Sequence, residues 1–131
     1  MTDIGRPNKV NLLTSFRCAF EGLGYVLRAE RNARIHLAIA VGVVLLSAWL
    51  QLTTIEWVLM IAAIALVFAG EMLNTVVELT IDLITLEQNP LAKRAKDVAA
   101  GAILVAAIAA AVMGLLILGP RLWLKLAALW R

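Results

Sequence analysis

The chain has 131 residues, enough for one domain, and is 63% hydrophobic but only 16% charged. A soluble domain is roughly half apolar and about a quarter charged, so an ordinary water-soluble fold is excluded and the bilayer is the expected solvent. The net charge of +3 is modest; where the charges lie matters more, and nucleic acid is not an expected partner. The single cysteine, Cys18, cannot close an internal disulfide and reads as an ordinary apolar residue.

The predicted fold class is an all-α membrane protein, an amphipathic surface helix followed by three transmembrane helices. In residues 1–34, Val10, Leu13, Phe16, Phe20, Leu23 and Leu27 recur at three- or four-residue spacing, with Arg17, Glu21 and Arg28 among them. That pattern suits a helix lying on the cytoplasmic membrane surface. The first long apolar run begins only at Ile35, too late for a cleavable signal peptide, and none is expected. No charge occurs between Arg34 and Glu56, which leaves room for one span of about 20 residues.

The second span begins near Trp57, stays apolar to Gly70, and then carries Glu71, Glu78 and Asp82 while keeping a helical pattern to about Ile84. As one helix it would be roughly 40 Å long, more than the ~30 Å hydrocarbon thickness, so one end must protrude. The third span is the charge-free stretch from Val98 to Pro120. Its small residues, among them Ala99, Ala100, Gly101, Ala106 and Ala110, suit close helix packing in lipid. The expected organisation is a cytoplasmic N-terminal part at 1–34, a three-span core at 35–119 with a cytoplasmic loop at 83–97, and a basic, aromatic tail at 120–131.

Charge asymmetry sets the expected orientation. Arg6, Lys9, Arg17, Arg28, Arg31 and Arg34 precede the first span, Lys93, Arg94 and Lys96 lie between the second and third, and 51–56 holds no lysine or arginine. The N-terminus and loop 83–97 are therefore expected inside and loop 51–56 outside. Trp49, Trp57, Trp123 and Trp130 all fall on the outer side, as an interfacial belt requires. Arg121, Lys125 and Arg131 oppose this rule, and the tail is expected to lie along the interface as a short amphipathic segment.

At 100° per residue Glu71, Asn74, Glu78 and Asp82 share one face of the second helix, within about 80° of one another. Glu71 falls about two turns inside the cytoplasmic boundary, and Glu78 and Asp82 at or beyond it. A carboxylate at that depth costs several kcal/mol unless it is paired, protonated or solvated. One such acid could simply bind helices together; three acids and an asparagine favour a function that needs oxygen ligands near the headgroups. Lysines of the 83–97 loop could hold anionic phosphates while carboxylates hold Mg²⁺, although a basic cluster before a span is also a plain topology signal. Glu30 is a further carboxylate on the same side, or a solvated charge between Arg28 and Arg31. His36, the single histidine, reads as interfacial, with a headgroup or phosphate contact as the other reading. No phosphate-binding glycine loop, zinc spacing or serine–histidine arrangement is present.

Glu71-Met72-Leu73-Asn74-Thr75-Val76-Val77-Glu78 followed by Asp82, and Ala92-Lys93-Arg94-Ala95-Lys96-Asp97 before the third span, resemble the signatures of the prokaryotic diacylglycerol kinase and undecaprenol kinase family. The similarity runs from about residue 15 to 119. The resemblance implies a bacterial inner-membrane kinase, a homotrimer with composite sites, that moves phosphate from Mg-ATP to a lipid hydroxyl in lipid-carrier or phospholipid recycling. By position, it implies that Glu71 is the general base and that Asn74 and Arg34 bind the lipid substrate beside it. Glu30 and Glu78 would hold the Mg²⁺ of ATP, and Asp82, Glu87, Lys96 and Asp97 would lie on the nucleotide side. Glu87, Gln88 and Asn89 stand where the family often has Glu-Tyr-His, a departure in the adenosine contacts. Glu30-Arg31-Asn32-Ala33-Arg34-Ile35-His36 resembles the undecaprenol branch, which favours undecaprenol over diacylglycerol as acceptor. The alternatives are a small multidrug-type transporter using the intramembrane glutamate, and a non-catalytic scaffold. The transporter class usually has four spans with its glutamate in the first, unlike this chain.

Overall fold

A computed structural model describes residues 11–129. Within them the chain is helical throughout its regular structure: α1 (Leu12–Ala29), α2 (Arg31–Leu50), α3 (Thr54–Ile84) and α4 (Pro90–Leu129). The last three are long and apolar enough to cross a membrane. Val10, Arg6, Lys9, Trp130 and Arg131, used in the sequence reading, lie outside the described residues.

α1 is amphipathic as expected, with Leu12, Leu13, Phe16 and Phe20 exposed along one stripe. It meets α2 at a single residue. Glu30, at φ −96° and ψ 120°, caps the end of α1 and the start of α2 at once, its N–H donating to the Val26 carbonyl. The last carbonyls of a helix lack intrahelical partners; here the Arg34 guanidinium donates to those of Leu27 and Arg28, at 3.4 and 2.9 Å. α2 therefore begins four residues before the apolar run at Ile35. Hydropathy marks lipid depth, whereas Arg31 and Arg34 extend the helix into the polar zone.

α2 stops at Gln51, whose left-handed backbone (φ 55°, ψ 56°) turns the chain. α3 starts at once on a capping box: the Thr53 hydroxyl accepts from Glu56 N–H, and the Glu56 carboxylate accepts from Thr53 N–H at 2.7 Å. At 31 and 40 residues, α3 and α4 are ~46 and ~60 Å long, so both outrun the ~30 Å hydrocarbon layer.

The connection between α3 and α4 is shorter than expected. α3 ends where Thr85 turns extended, and Pro90 already opens α4. Asn89 caps that start, its Oδ1 accepting from the N–H groups of Leu91 and Ala92, and Pro90 has the preset φ of a first helical residue. Lys93, Lys96 and Asp97 thus stand on helix turns and not in a loop. At the far end α4 does not stop at Pro120. It continues to Leu129, so the basic tail extends the span. Proline removes one helix hydrogen bond, but cross-helix ties offset the loss. Arg121 pairs with Glu56 at 2.6 Å and donates to the Gln51 carbonyl, and Lys125 donates to the Trp49 carbonyl and lies 4.5 Å over the Trp49 ring.

α3 packs mainly along α4, with α2 against both. Its buried residues Met60, Ala63, Val67, Glu71, Asn74 and Thr75 recur at helical spacing. Glu71 and Asn74 thus continue an apolar seam. Near the 51–53 turn that seam joins Leu50, Leu52 and Leu118 in the main apolar cluster. Gly70 faces Ile103 of α4, where an added Cβ would make ordinary van der Waals contact at 3.8 Å.

Candidate active site

The polar end of the α3 seam is where buried chemistry collects. Glu71 is 1% exposed, deeper than any other carboxylate among the described residues. One turn on, Thr75 turns its hydroxyl back to donate to the Glu71 carbonyl at 3.0 Å, so it stays satisfied without touching the carboxylate. The Asn74 amide donates to Glu78 Oε1 at 2.9 Å, an i to i+4 pair that orients both side chains. Three buried side-chain oxygens among the described residues, Glu71 Oε1, Asn74 Oδ1 and, away from this seam on α2, Ser47 Oγ, have no hydrogen-bond partner in the protein. Buried polar atoms are normally satisfied, and two of these oxygens stand one turn apart on the same face of α3.

From α2, His36 brings Nε2 to 3.2 Å from Glu71 Oε1. The atoms are within ion-pair distance but not aligned as a hydrogen bond. Glu78, on the same helix, and Glu30, at the α1–α2 junction, both lie within electrostatic range of Glu71. No cluster of three metal-binding side chains occurs among the described residues. Two carboxylates are nevertheless an adequate protein share for Mg²⁺, which retains waters and takes substrate phosphate oxygens as further ligands.

Beyond Glu78 the helix face leads to a second group. Lys96 of α4 reaches across to Asp82 at 2.6 Å, fixing α3 to α4 at this end. Asp97 pairs instead with Lys93 one turn back on its own helix. Asp82, Glu87, Lys96 and Asp97 all line one open cleft of about 640 Å³, formed with the 85–89 connection. Gln88 and Asn89 line it too, but the Asn89 side chain is engaged in capping α4. A second cavity, about 470 Å³ and apolar, runs between α2, α3 and α4 from His36 and Ile39 to Met60 and Leu118. Among its lining residues His36 alone is polar.

The expected residues thus form two linked sets, Glu71–Asn74–Glu78 with Glu30, and Asp82–Lys96 with Asp97 and Glu87 in the cleft. Arg34 stands apart from both: it is exposed and directed at the carbonyls that end α1. His36 is the residue that sequence reasoning placed only as interfacial. No spacing rule joins it to Glu71, because the two are on different helices. Its being the single histidine, at the start of an apolar span, was the only available signal.

Residues 17–118 match the family model for prokaryotic diacylglycerol kinase. The chain is 42% identical over 116 residues to an undecaprenol kinase of Bacillus subtilis, covering 88% of this chain and 94% of that protein. A diacylglycerol kinase of Synechocystis is 42% identical over 113 residues, 86% of this chain and 65% of that one. A diacylglycerol kinase of Escherichia coli is 33% identical over 110 residues, covering 78% and 89%.

Proposed function

The chain belongs to the prokaryotic diacylglycerol kinase family and is a lipid kinase; from that premise we propose that it transfers the γ-phosphate of Mg-ATP to undecaprenol. The observation that carries this reading is Glu71, a buried carboxylate with an unpartnered oxygen, on a helix face that continues into the Lys96–Asp82 cleft. A base for a lipid hydroxyl must work near headgroup depth, and the nucleotide must be reached from water. One seam of α3 offers both.

In this mechanism the acceptor hydroxyl approaches Glu71 with Asn74 Oδ1 beside it. Glu71 takes the hydroxyl proton as the oxygen attacks the γ-phosphorus in line, and ADP leaves with the bond pair. Asn74 holds Glu78 in place through its amide. Glu30 and Glu78 would hold Mg²⁺, which neutralises phosphate charge when bound. Lys96 turns from Asp82 toward the phosphates, a short movement for a long, flexible side chain. Asp82, Asp97 and Glu87 line the nucleotide side. Arg34, directed at the carbonyls that end α1, is assigned a lipid contact at the α1–α2 junction, apart from the hydroxyl at Glu71. Phosphoryl transfer requires little more than such positioning and charge neutralisation.

The enzyme is proposed to work in the bacterial inner membrane with α1 and the 85–89 connection cytoplasmic, as the lysine and arginine bias supports. Exposed apolar residues along all three spans, such as Leu45, Ile61 and Leu116, suit lipid or neighbouring subunits. A homotrimer is the assembly we assign. Undecaprenol is favoured by the 30–36 segment and by the match to nearly the whole Bacillus subtilis undecaprenol kinase. The deciding experiment reconstitutes purified protein with Mg-ATP and equal undecaprenol and diacylglycerol in competition. Undecaprenyl phosphate should dominate. Preferred phosphorylation of diacylglycerol would reassign the acceptor, and transfer to neither would overturn the kinase mechanism.

A further inference from the structure

His36 is unused by the mechanism above, yet it brings a ring nitrogen from another element to 3.2 Å from the Glu71 carboxylate. The two differ in surroundings: the imidazole side chain is 23% exposed and the carboxylate 2%. Other charges near Glu71 are engaged elsewhere or of the wrong sign. Glu78 accepts from Asn74, Glu30 is a carboxylate, and Arg34 donates to α1 carbonyls. α4 meets this level with Ile103 beside Gly70, and its run from Val98 to Pro120 carries no charge. Among the described residues, the imidazole is thus the one group placed to donate to this carboxylate.

We propose that His36 is a positioning residue for Glu71, its Nε2–H donating to Oε1 so that Oε2 is left aimed at the acceptor hydroxyl. A carboxylate has two oxygens, and a base held by one of them presents the other in a fixed direction. Catalytic contacts of this kind commonly tighten only when substrate is bound. In the transfer step the acceptor O–H bond breaks and its proton passes to Oε2. The new O–P bond forms as the bond between the γ-phosphorus and the bridging oxygen breaks, its pair leaving with ADP. The imidazole keeps its proton throughout. His36 also lines the apolar cavity, so the same ring separates the hydrocarbon-lined space from the base. This role rests on the kinase reading, but the contact beneath it does not.

Two measurements test it separately. Because His36 is the single histidine, ring-¹⁵N-labelled protein in lipid gives one pair of ring-nitrogen signals. They should report a proton on Nε2 and should shift in Glu71→Gln but not in the remote Glu56→Gln. Signals indifferent to Glu71→Gln would overturn the pairing, whether or not any lipid is phosphorylated. In turnover, His36→Leu should lower kcat about 10- to 100-fold with KM for Mg-ATP within about twofold, the pattern of a defect in the transition state alone. His36→Gln, which retains an N–H donor at similar reach, should recover kcat to within about fivefold of the parent. Unchanged kcat in His36→Leu, or no recovery in His36→Gln, would overturn the role. Absence of lipid phosphorylation by the parent protein would instead remove the kinase reading and leave the contact to the ¹⁵N result.

Discussion

Two glutamates on α3 meet opposite fates. Glu56, beside the 51–53 turn, is satisfied from several directions: the Thr53 N–H and hydroxyl each donate to it at 2.7 Å, and Arg121 holds both of its oxygens. Glu71, four turns away, is more deeply buried and has an oxygen with no hydrogen bond. The first end of the bundle closes around Leu50, Leu52, Met60 and Leu118 with its charges paired. The second holds Glu71 and Asn74 buried, about two to three turns along α3 from the cleft lined by Asp82 and Lys96. Asn74 Oδ1 is left without a partner there, and His36 Nε2 is the donor within reach of Glu71 Oε1. One end of the helix pair has its charges paired; the other carries the site we propose for chemistry.

The contrast can be broken by exchanging what each glutamate does. The largest effect is expected for Glu71→Gln, which keeps the shape and removes the base. Its kcat should fall by about 10²- to 10⁴-fold, while its thermal midpoint in detergent holds or rises, as expected when a strained functional group is neutralised. A midpoint lowered as much as activity would make Glu71 structural. Next comes Lys96→Met, which should raise KM for Mg-ATP about tenfold or more with a smaller change in KM for the lipid. A defect confined to the lipid would move Lys96 to the other substrate.

At the opposite end Arg121→Leu should lower the thermal midpoint and leave kcat within about twofold, since surface-directed substitutions away from a site rarely alter turnover. Loss of activity in folded Arg121→Leu would tie the two ends together and dissolve the contrast. The smallest change is expected for Thr53→Ala, which removes half of the α3 capping box. It should cost about 1 kcal/mol in reversible unfolding, typical of a lost cap.

The spans, the surface helix and the acidic stripe were legible in the sequence because they are periodic. Charge-free runs mark lipid depth, and a 3.6-residue repeat places Glu71, Asn74 and Glu78 together whatever else the chain does. Helix limits were less legible. α2 and α4 start upstream of their apolar runs because Arg34 caps α1 and Asn89 caps α4, contacts that hydropathy does not register. Helix α4 continues beyond Pro120 with Arg121 and Lys125 partnered by Trp49 of α2, Gln51 of the turn and Glu56 of α3, 65 to 76 residues earlier in the chain. Those partners also give Arg121 and Lys125, two of the cations at odds with the proposed orientation, a structural role. The pairing of His36 with Glu71 was hidden for the same reason, since it joins helices and not positions along one.

The most direct test of the division is a single-turnover experiment in lipid. Radiolabelled ATP, Mg²⁺ and saturating undecaprenol would be mixed with excess parent protein or Glu71→Gln, with nucleotide binding measured in parallel. The parent should pass its label to lipid in one exponential phase, and Glu71→Gln should bind nucleotide equally well yet transfer label about 10²-fold more slowly or worse. Equal transfer rates would contradict Glu71 as the base and return the polar end of the seam to a structural role.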